Sequence, residues 1–240
     1  MIKVFYKCIL GFGLISTVFA FEDKINHPND LLEYLYTEQG WEYIKSTKDG
    51  ITIKSKTVKG RELEALMVHK KIKISPVIIT EVLMDVDHYG DFLSSAGTLK
   101  SIPLDNTSLY LDGYQHISNS IPFFSDRRYC FRMTDMEWSE KNQKKLVQWV
   151  LLNENDKYRN YLQNNDSDAV YLDFGAGVWM ASPTSDGQID ISYRLYMDPG
   201  GSIPNFIIDI INEVSIVNIF KDALAEAEKR SVSKTVIKQK

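Results

Sequence analysis

The sequence predicts an α+β fold in which a curved antiparallel sheet is closed by a long C-terminal α-helix. Three observations predict it. The strand-like runs between Trp41 and Met197 mostly follow one another through short turns, which favours antiparallel pairing. Helical periodicity is segregated from the strands rather than alternating with them, as in α+β folds. The last strand runs into Asp198-Pro199-Gly200-Gly201-Ser202-Ile203-Pro204, and an unusually apolar helix pattern follows. There Pro199 removes a ladder donor and the glycines permit backbone angles that other residues avoid. Ser202 is placed to cap the helix, and Pro204 falls in its first turn, where a missing N–H costs little.

The elements follow in order. Asn29 to Gln39 reads as a short helix, with Asp30 as cap, Leu31, Leu32 and Leu35 as its apolar stripe, and Gly40 as its end. Strands are expected over Trp41 to Lys48, Ile51 to Val58 and Leu63 to Ile74, with Asp49-Gly50 as a tight hairpin signal and Lys59-Gly60 as the next turn. Ser75-Pro76 opens a second helix, whose Ile78, Ile79, Val82, Leu83 and Val86 share a face. It ends near Asp87, and Tyr89 to Phe92 forms a further turn. Six strands are expected next: Thr98 to Leu104, Ser108 to Ser118, Arg127 to Trp138, Lys144 to Leu152, Val170 to Ala181 and Gln188 to Met197. Asn153 to Asp168 is polar and reads as an exposed loop holding a short helix at Lys157 to Leu162. Ser231 to Lys240 reads as a frayed basic tail.

The chain has 240 residues, and residues 1–20 have the pattern of an export signal: Lys3 and Lys7, an apolar run from Cys8 to Ala20, and Val18-Phe19-Ala20 as a cleavage site. The apolar run is shorter than the ~20 residues a spanning helix needs. Cleavage would place the protein in the periplasm or outside the cell. Removing residues 1–20, which hold two lysines and no acid, moves the formal charge from −4 to −6. An acidic chain without a basic block is poorly matched to nucleic acid. The mature chain keeps Cys130 alone, so it forms no internal disulfide and relies on its core. One domain accounts for that length.

Chemistry-bearing patterns are few. Asp85, Asp87 and His88 have chelating spacing but no further ligands, so no metal is expected. His27, His69, His88 and His116 show no zinc or relay spacing. There is no Gly-x-Ser-x-Gly elbow and no phosphate-cradling loop, so no catalytic residue and no cofactor is assigned. Cys130 lies on the strand face of Arg128 and Arg132, which would favour a thiolate, but a buried inert thiol is the more ordinary reading. Alternation puts Arg127, Tyr129, Phe131, Met133 and Asp135 on the other face, which is expected to look inward.

Four motifs, in order and spacing, resemble the StAR-related lipid-transfer (START) domain of the Bet v 1-like helix-grip superfamily. They are Val82-Leu83-Met84-Asp85-Val86-Asp87-His88-Tyr89, Ile121-Pro122-Phe123-Phe124-Ser125-Asp126-Arg127, Gly177-Val178-Trp179 with Pro183, and Asp198-Pro199-Gly200-Gly201 leading to Ile203-Pro204. The likeness covers Trp41 to Arg230, within a domain set at 21–230 between the signal and the 231–240 tail. Departures are Arg128 where the family often has an acid, Phe92 where Trp is common, and Tyr171 where Arg is frequent.

The resemblance implies an apolar tunnel between helix and sheet that holds a lipid or another hydrophobic small molecule. The protein would then be a monomeric binding or transfer protein rather than an enzyme, touching membranes transiently and using no cofactor. On that reading Phe131, Met133, Trp179, Tyr193, Ile207, Ile210 and Val214 line the cavity, with Tyr114 and Arg127 as polar candidates. For Arg127 a structural tie between strand and loop weighs more than a ligand contact, because buried charges are normally paired. The last helix and the loops at Ile121 to Ser125 and Asn153 to Asp168 would form the gate. One alternative is a cyclase-, aromatase- or hydrolase-like enzyme on a hydrophobic substrate, with His116 or Asp135 as acid or base. The other is a filled grip with no cavity.

Overall fold

The computed structural model describes residues 24–94, 98–118, 125–136, 145–154, 157–200 and 205–238, with the backbone alone at 145, 205–214 and 234–238. Three N-terminal strands, β1 (Glu42–Ser46), β2 (Thr52–Thr57) and β3 (Glu64–Ile72), form a meander. Its turns centre on Gly50 at φ +81° and Gly60 at φ +68°, left-handed positions that glycine occupies without a Cβ clash. After a helical segment come β4 (Leu99–Asn106), β5 (Leu111–Ile117), β6 (Arg127–Asp135), β7 (Lys145–Leu151), β8 (Val170–Tyr171), β9 (Gly175–Pro183) and β10 (Ile189–Met197). One sheet results, in the order β1-β2-β3-β10-β9-β7-β6-β5-β4. All pairs along this path are antiparallel, and β8 adds a short parallel pairing to β6. Pro103 lies in β4, an edge strand, where a missing ladder donor is tolerated.

Among the described residues the helices are α1 (Pro28–Tyr36), α2 (Pro76–Met84), α3 (Tyr89–Phe92), α4 (Arg159–Asn164) and α5 (Asn205–Lys238), with a 3₁₀ turn at Val86–His88 before α3. They divide between the two sheet faces. On the inner face, α2 and α5 pack over Ile53, Val68, Phe131, Val147, Trp179 and Ile191. α5 buries Ile216, Phe220, Ala223 and Ala227 there, a three-to-four-residue spacing. On the outer face, Leu31, Leu32 and Leu35 of α1 pack on Ala176, Val178 and Met180 of β9. Leu162 of α4 covers Tyr114 and Cys130.

Four expectations need revision. His27 rather than Asp30 caps α1: its Nδ1 accepts from the Asn29 N–H at 3.2 Å. The single strand expected from Val170 to Ala181 is two. β8 lies beside β6, and the chain then crosses to join β9 between β7 and β10, taking Leu172 from the inner core and Phe174 into the outer one. Alternation persists through the crossing, so periodicity alone does not record the change of partner. α5 continues to Lys238, into the segment read as a frayed tail. Of the Asn153 to Asp168 segment read as part of a gate, Tyr158, Tyr161 and Leu162 pack with Tyr114 and Cys130 on the outer face, whereas the buried residues of α5 belong to the inner core.

Two buried arginines fasten the outer helices. Arg194 of β10 donates to the carbonyls of Leu35 at 3.0 Å and Tyr36 at 3.2 Å, at the C-terminal end of α1, and meets Glu38 at 2.8 Å. Arg128 of β6 donates to the carbonyls of Leu162 and Asn165, at the C-terminal end of α4, and meets Glu154 at 2.9 Å. The last carbonyls of a helix lack intrahelical donors and carry its negative end, so a guanidinium suits both needs.

Candidate functional site

A cavity of about 310 Å³ lies between the inner sheet face and helices α2, α3 and α5. A cavity therefore exists where a filled grip would have none. Large aromatic side chains stand on its sheet wall. Trp179 of β9 and Tyr193 of β10 are register partners, and their rings stack at 4.5 Å and 13°. Phe220 of α5 also stacks on Trp179 at 5.4 Å and 11°. Two glycines make room for two more rings. Gly113 faces Phe131 and Gly177 faces Trp149 across their strand pairs. A Cβ at either glycine would stand 2.4 Å or 2.5 Å from the facing ring. Met133 completes this wall, and the exposed Ser215 and Asn218 of α5 stand at the cavity's margin.

The polar groups on the wall are uncharged. Tyr129 donates to Gln115 Oε1, and Gln115 Nε2 donates to Ser101 Oγ at 3.1 Å. Tyr89 donates to the Leu83 carbonyl, and Trp149 Nε1 donates to the Tyr193 hydroxyl at 3.2 Å. Burial pushes the phenols of Tyr89, Tyr129 and Tyr193 well above their ordinary range, so they stand as neutral hydroxyls. Among the described residues the wall carries no Asp, Glu, His, Lys, Arg or Cys.

Of the residues singled out from sequence, Phe131, Met133, Trp179 and Tyr193 come together on this wall. The side chains of Ile207, Ile210 and Val214 lie outside the described residues, as do Ile121 to Phe124 of the second motif. Tyr114 is on the opposite sheet face, where it donates to Asp166 Oδ2 at 2.7 Å and meets the Tyr161 ring edge-on. The alternation that turns Gly113 and Gln115 inward turns Tyr114 out.

Arg127 is a tie rather than a wall residue. Its guanidinium donates to the carbonyls of Pro199 at 2.9 Å and Gly200 at 3.3 Å, and to that of Ser125. From the other side Asp198 accepts from Arg61 at 3.3 Å and from the Gly200 N–H at 3.1 Å. The Asp-Pro-Gly break after β10 is thus clamped by two arginines.

The remaining candidates lie elsewhere. His116 is on the Tyr114 face and meets Asp126 at 3.2 Å, and Asp135 is exposed. Cys130 is buried, and burial pushes its thiol up to about 11, against the thiolate reading. Asp85 is taken up by His88 at 2.6 Å and Arg230 at 2.7 Å. Among the described residues no cluster of His, Cys, Asp and Glu is arranged to hold a metal.

Sequence reasoning missed Trp149, Gln115 and Tyr89. Trp149 was reachable, since it alternates with the inward Val147 and Leu151. Tyr129 was assigned to the inward face but not to the site. Gln115 and Tyr89 gave no signal, because a lone Gln in a strand or Tyr in a turn is ordinary.

No family model matches the chain, and no curated protein matches it. Solved structures do. A STAR-related lipid transfer protein fragment from Xanthomonas axonopodis matches with a TM-score of 0.63 at 19% identity, covering 79% of this chain and 99% of that one. Human STARD10 matches at 0.61 and 15%, covering 85% and 81% of the two chains. Human StAR-related lipid transfer protein 5 matches at 0.60 and 9%, covering 85% and 93%. The chain has a START-like α+β fold, with a large antiparallel sheet and several helices.

Proposed function

We propose that this START-like chain is a carrier that binds a lipid or another hydrophobic small molecule between sheet and α5, in the manner of a helix grip. The observation that carries the reading is the cavity of about 310 Å³, walled by aromatic and aliphatic side chains with a few neutral polar groups. An apolar pocket with sparse orienting polar groups is what small-molecule sites look like. Emptied of water, such a wall favours apolar ligand area by roughly 25 cal/mol per Å² buried. The lipid-transfer names of the Xanthomonas axonopodis fragment and of human StAR-related lipid transfer protein 5 agree with it. Export after loss of residues 1–20 belongs to the same proposal and rests on the signal pattern alone. So do a monomeric state and transient membrane contact, through which a carrier would load and unload.

Cyclase or hydrolase chemistry needs a general acid or base at the substrate. The described wall carries no carboxylate, imidazole, amine or thiol, and burial holds its tyrosines neutral, which favours the carrier reading over the enzyme. The test is native mass spectrometry and organic extraction of the protein purified from its own cell envelope. A stoichiometric hydrophobic ligand, recovered unchanged after incubation, is expected. A protein that carries none, and takes up none from a chemically diverse hydrophobic panel, would overturn the proposal. Conversion of the ligand during incubation would put the enzyme in its place.

A further inference from the structure

Resting on the carrier reading, the hydroxyl geometry of the cavity says which head group belongs there. The Tyr193 oxygen accepts the Trp149 N–H at 3.2 Å, while its own proton has no acceptor among the described residues. Tyr193 is 6% exposed and lines the cavity, so its free proton is open to a group bound there. Tyr89 and Tyr129 are the reverse case. Their protons are committed to the Leu83 carbonyl and to Gln115, which leaves their oxygens able only to accept. All three tyrosines line the same cavity.

The three tyrosines thus offer one unspent donor and two acceptors, no described charge stands on the wall, and Ser215 and Asn218 lie at its exposed margin. We infer that the cavity selects an uncharged lipid bearing a hydroxyl, which accepts from Tyr193 and donates to Tyr89 or Tyr129. A ketone satisfies the donor only. A carboxylate or phosphate meets one donor and two repelling oxygens, with no cation to offset its burial.

The test uses the chain from residue 21 onward and four probes with one tail: tetradecan-1-ol, 2-tetradecanone, myristate at pH 8 and tetradecylphosphocholine. The readout is the fluorescence of Trp149 and Trp179, which stand on the wall. Tetradecanol is expected to bind tightest, at least about tenfold over myristate, because an unpaired buried charge is costly. Tyr193→Phe is expected to weaken tetradecanol and the ketone about five- to tenfold, the worth of one buried hydrogen bond, and to affect the two charged probes less, since they are held poorly to begin with. Circular dichroism and the melting temperature establish that the variant folds; if it does not, the ranking of heads on the native chain decides alone. Equal binding of all four probes, or an equal effect of Tyr193→Phe on all, overturns this inference and leaves the carrier reading standing. Binding of none overturns both.

Discussion

The indole of Trp149 lies directly across its register partner Gly177, so closely that a Cβ there would stand 2.5 Å from Nε1 and Cε2. The pair explains how a strand can carry a tryptophan flat on the sheet and still leave an open cavity above it. Removing the partner's side chain gives the ring a floor. Gly177→Ala must push the indole into the cavity or distort the strand, and overpacking of this kind costs about 1–3 kcal/mol. Gly90→Ala is the control, because nothing lies within 4 Å of the added methyl. Urea midpoints are expected to fall for Gly177→Ala and to hold for Gly90→Ala; equal shifts would sink the explanation.

Arg194 is expected to matter more for stability than any exposed ion pair in the chain. It is 4% exposed and serves the carbonyls of Leu35, Tyr36 and Thr37 at the end of α1 together with Glu38. Arg194→Met keeps the stem but strands those carbonyls, at a cost of about 2–3 kcal/mol for hydrogen bonds to a charged donor. Arg194→Lys recovers part of this, since an ammonium lacks the planar fork that spans several acceptors. The chemical denaturation midpoints should rank native, Lys, Met.

The arginines also show where the sequence was and was not legible. Strand alternation separated Phe131 and Met133 from Cys130, because a pleated strand with one apolar face enforces a period of two. The Asp-Pro-Gly-Gly break was visible because proline and glycine act through their own backbones. Arg128 and Arg194 were not assigned their roles, since a cap formed by a residue more than 30 positions away leaves no local pattern. Tyr114 was placed on the wrong face for a related reason. It was chosen as a polar candidate without its neighbours, whereas the inward Gly113 and Gln115 fix its direction.

Ala223 borders the cavity on α5 and is 2% exposed, so a longer side chain there must occupy ligand space. Ala223→Leu is expected to weaken the tightest probe about tenfold or more while changing stability by less than about 1.5 kcal/mol, since added carbons enter a void rather than packed atoms. Isothermal titration alongside urea unfolding checks both. A large loss of stability with unchanged affinity would mean that the methyl points into solid core.

The contact of α2 with α5 carries a pH signature that follows from Asp85. Burial opposes its ionisation, but hydrogen bonds from His88 and Arg230 outweigh that and hold its carboxyl below the ordinary 3.8. A carboxyl lowered on folding stabilises the fold above its unfolded value, and the contribution is lost as pH falls through the folded value. His88 works in the opposite sense. Its hydrogen bond to Asp85 raises it above 6.5, so its contribution is full below 6.5 and is lost as pH rises through the folded value. The latch is therefore strongest between pH 3.8 and 6.5. Arg230 keeps its charge throughout and holds part of the contact at alkaline pH. The melting temperature of Asp85→Asn should fall furthest below native at pH 5, less at pH 9 and least at pH 2. His88→Gln should differ from native at pH 5 and match it at pH 9. A gap for Asp85→Asn that stays constant from pH 2 to 9 would show that Asp85 acts by shape alone.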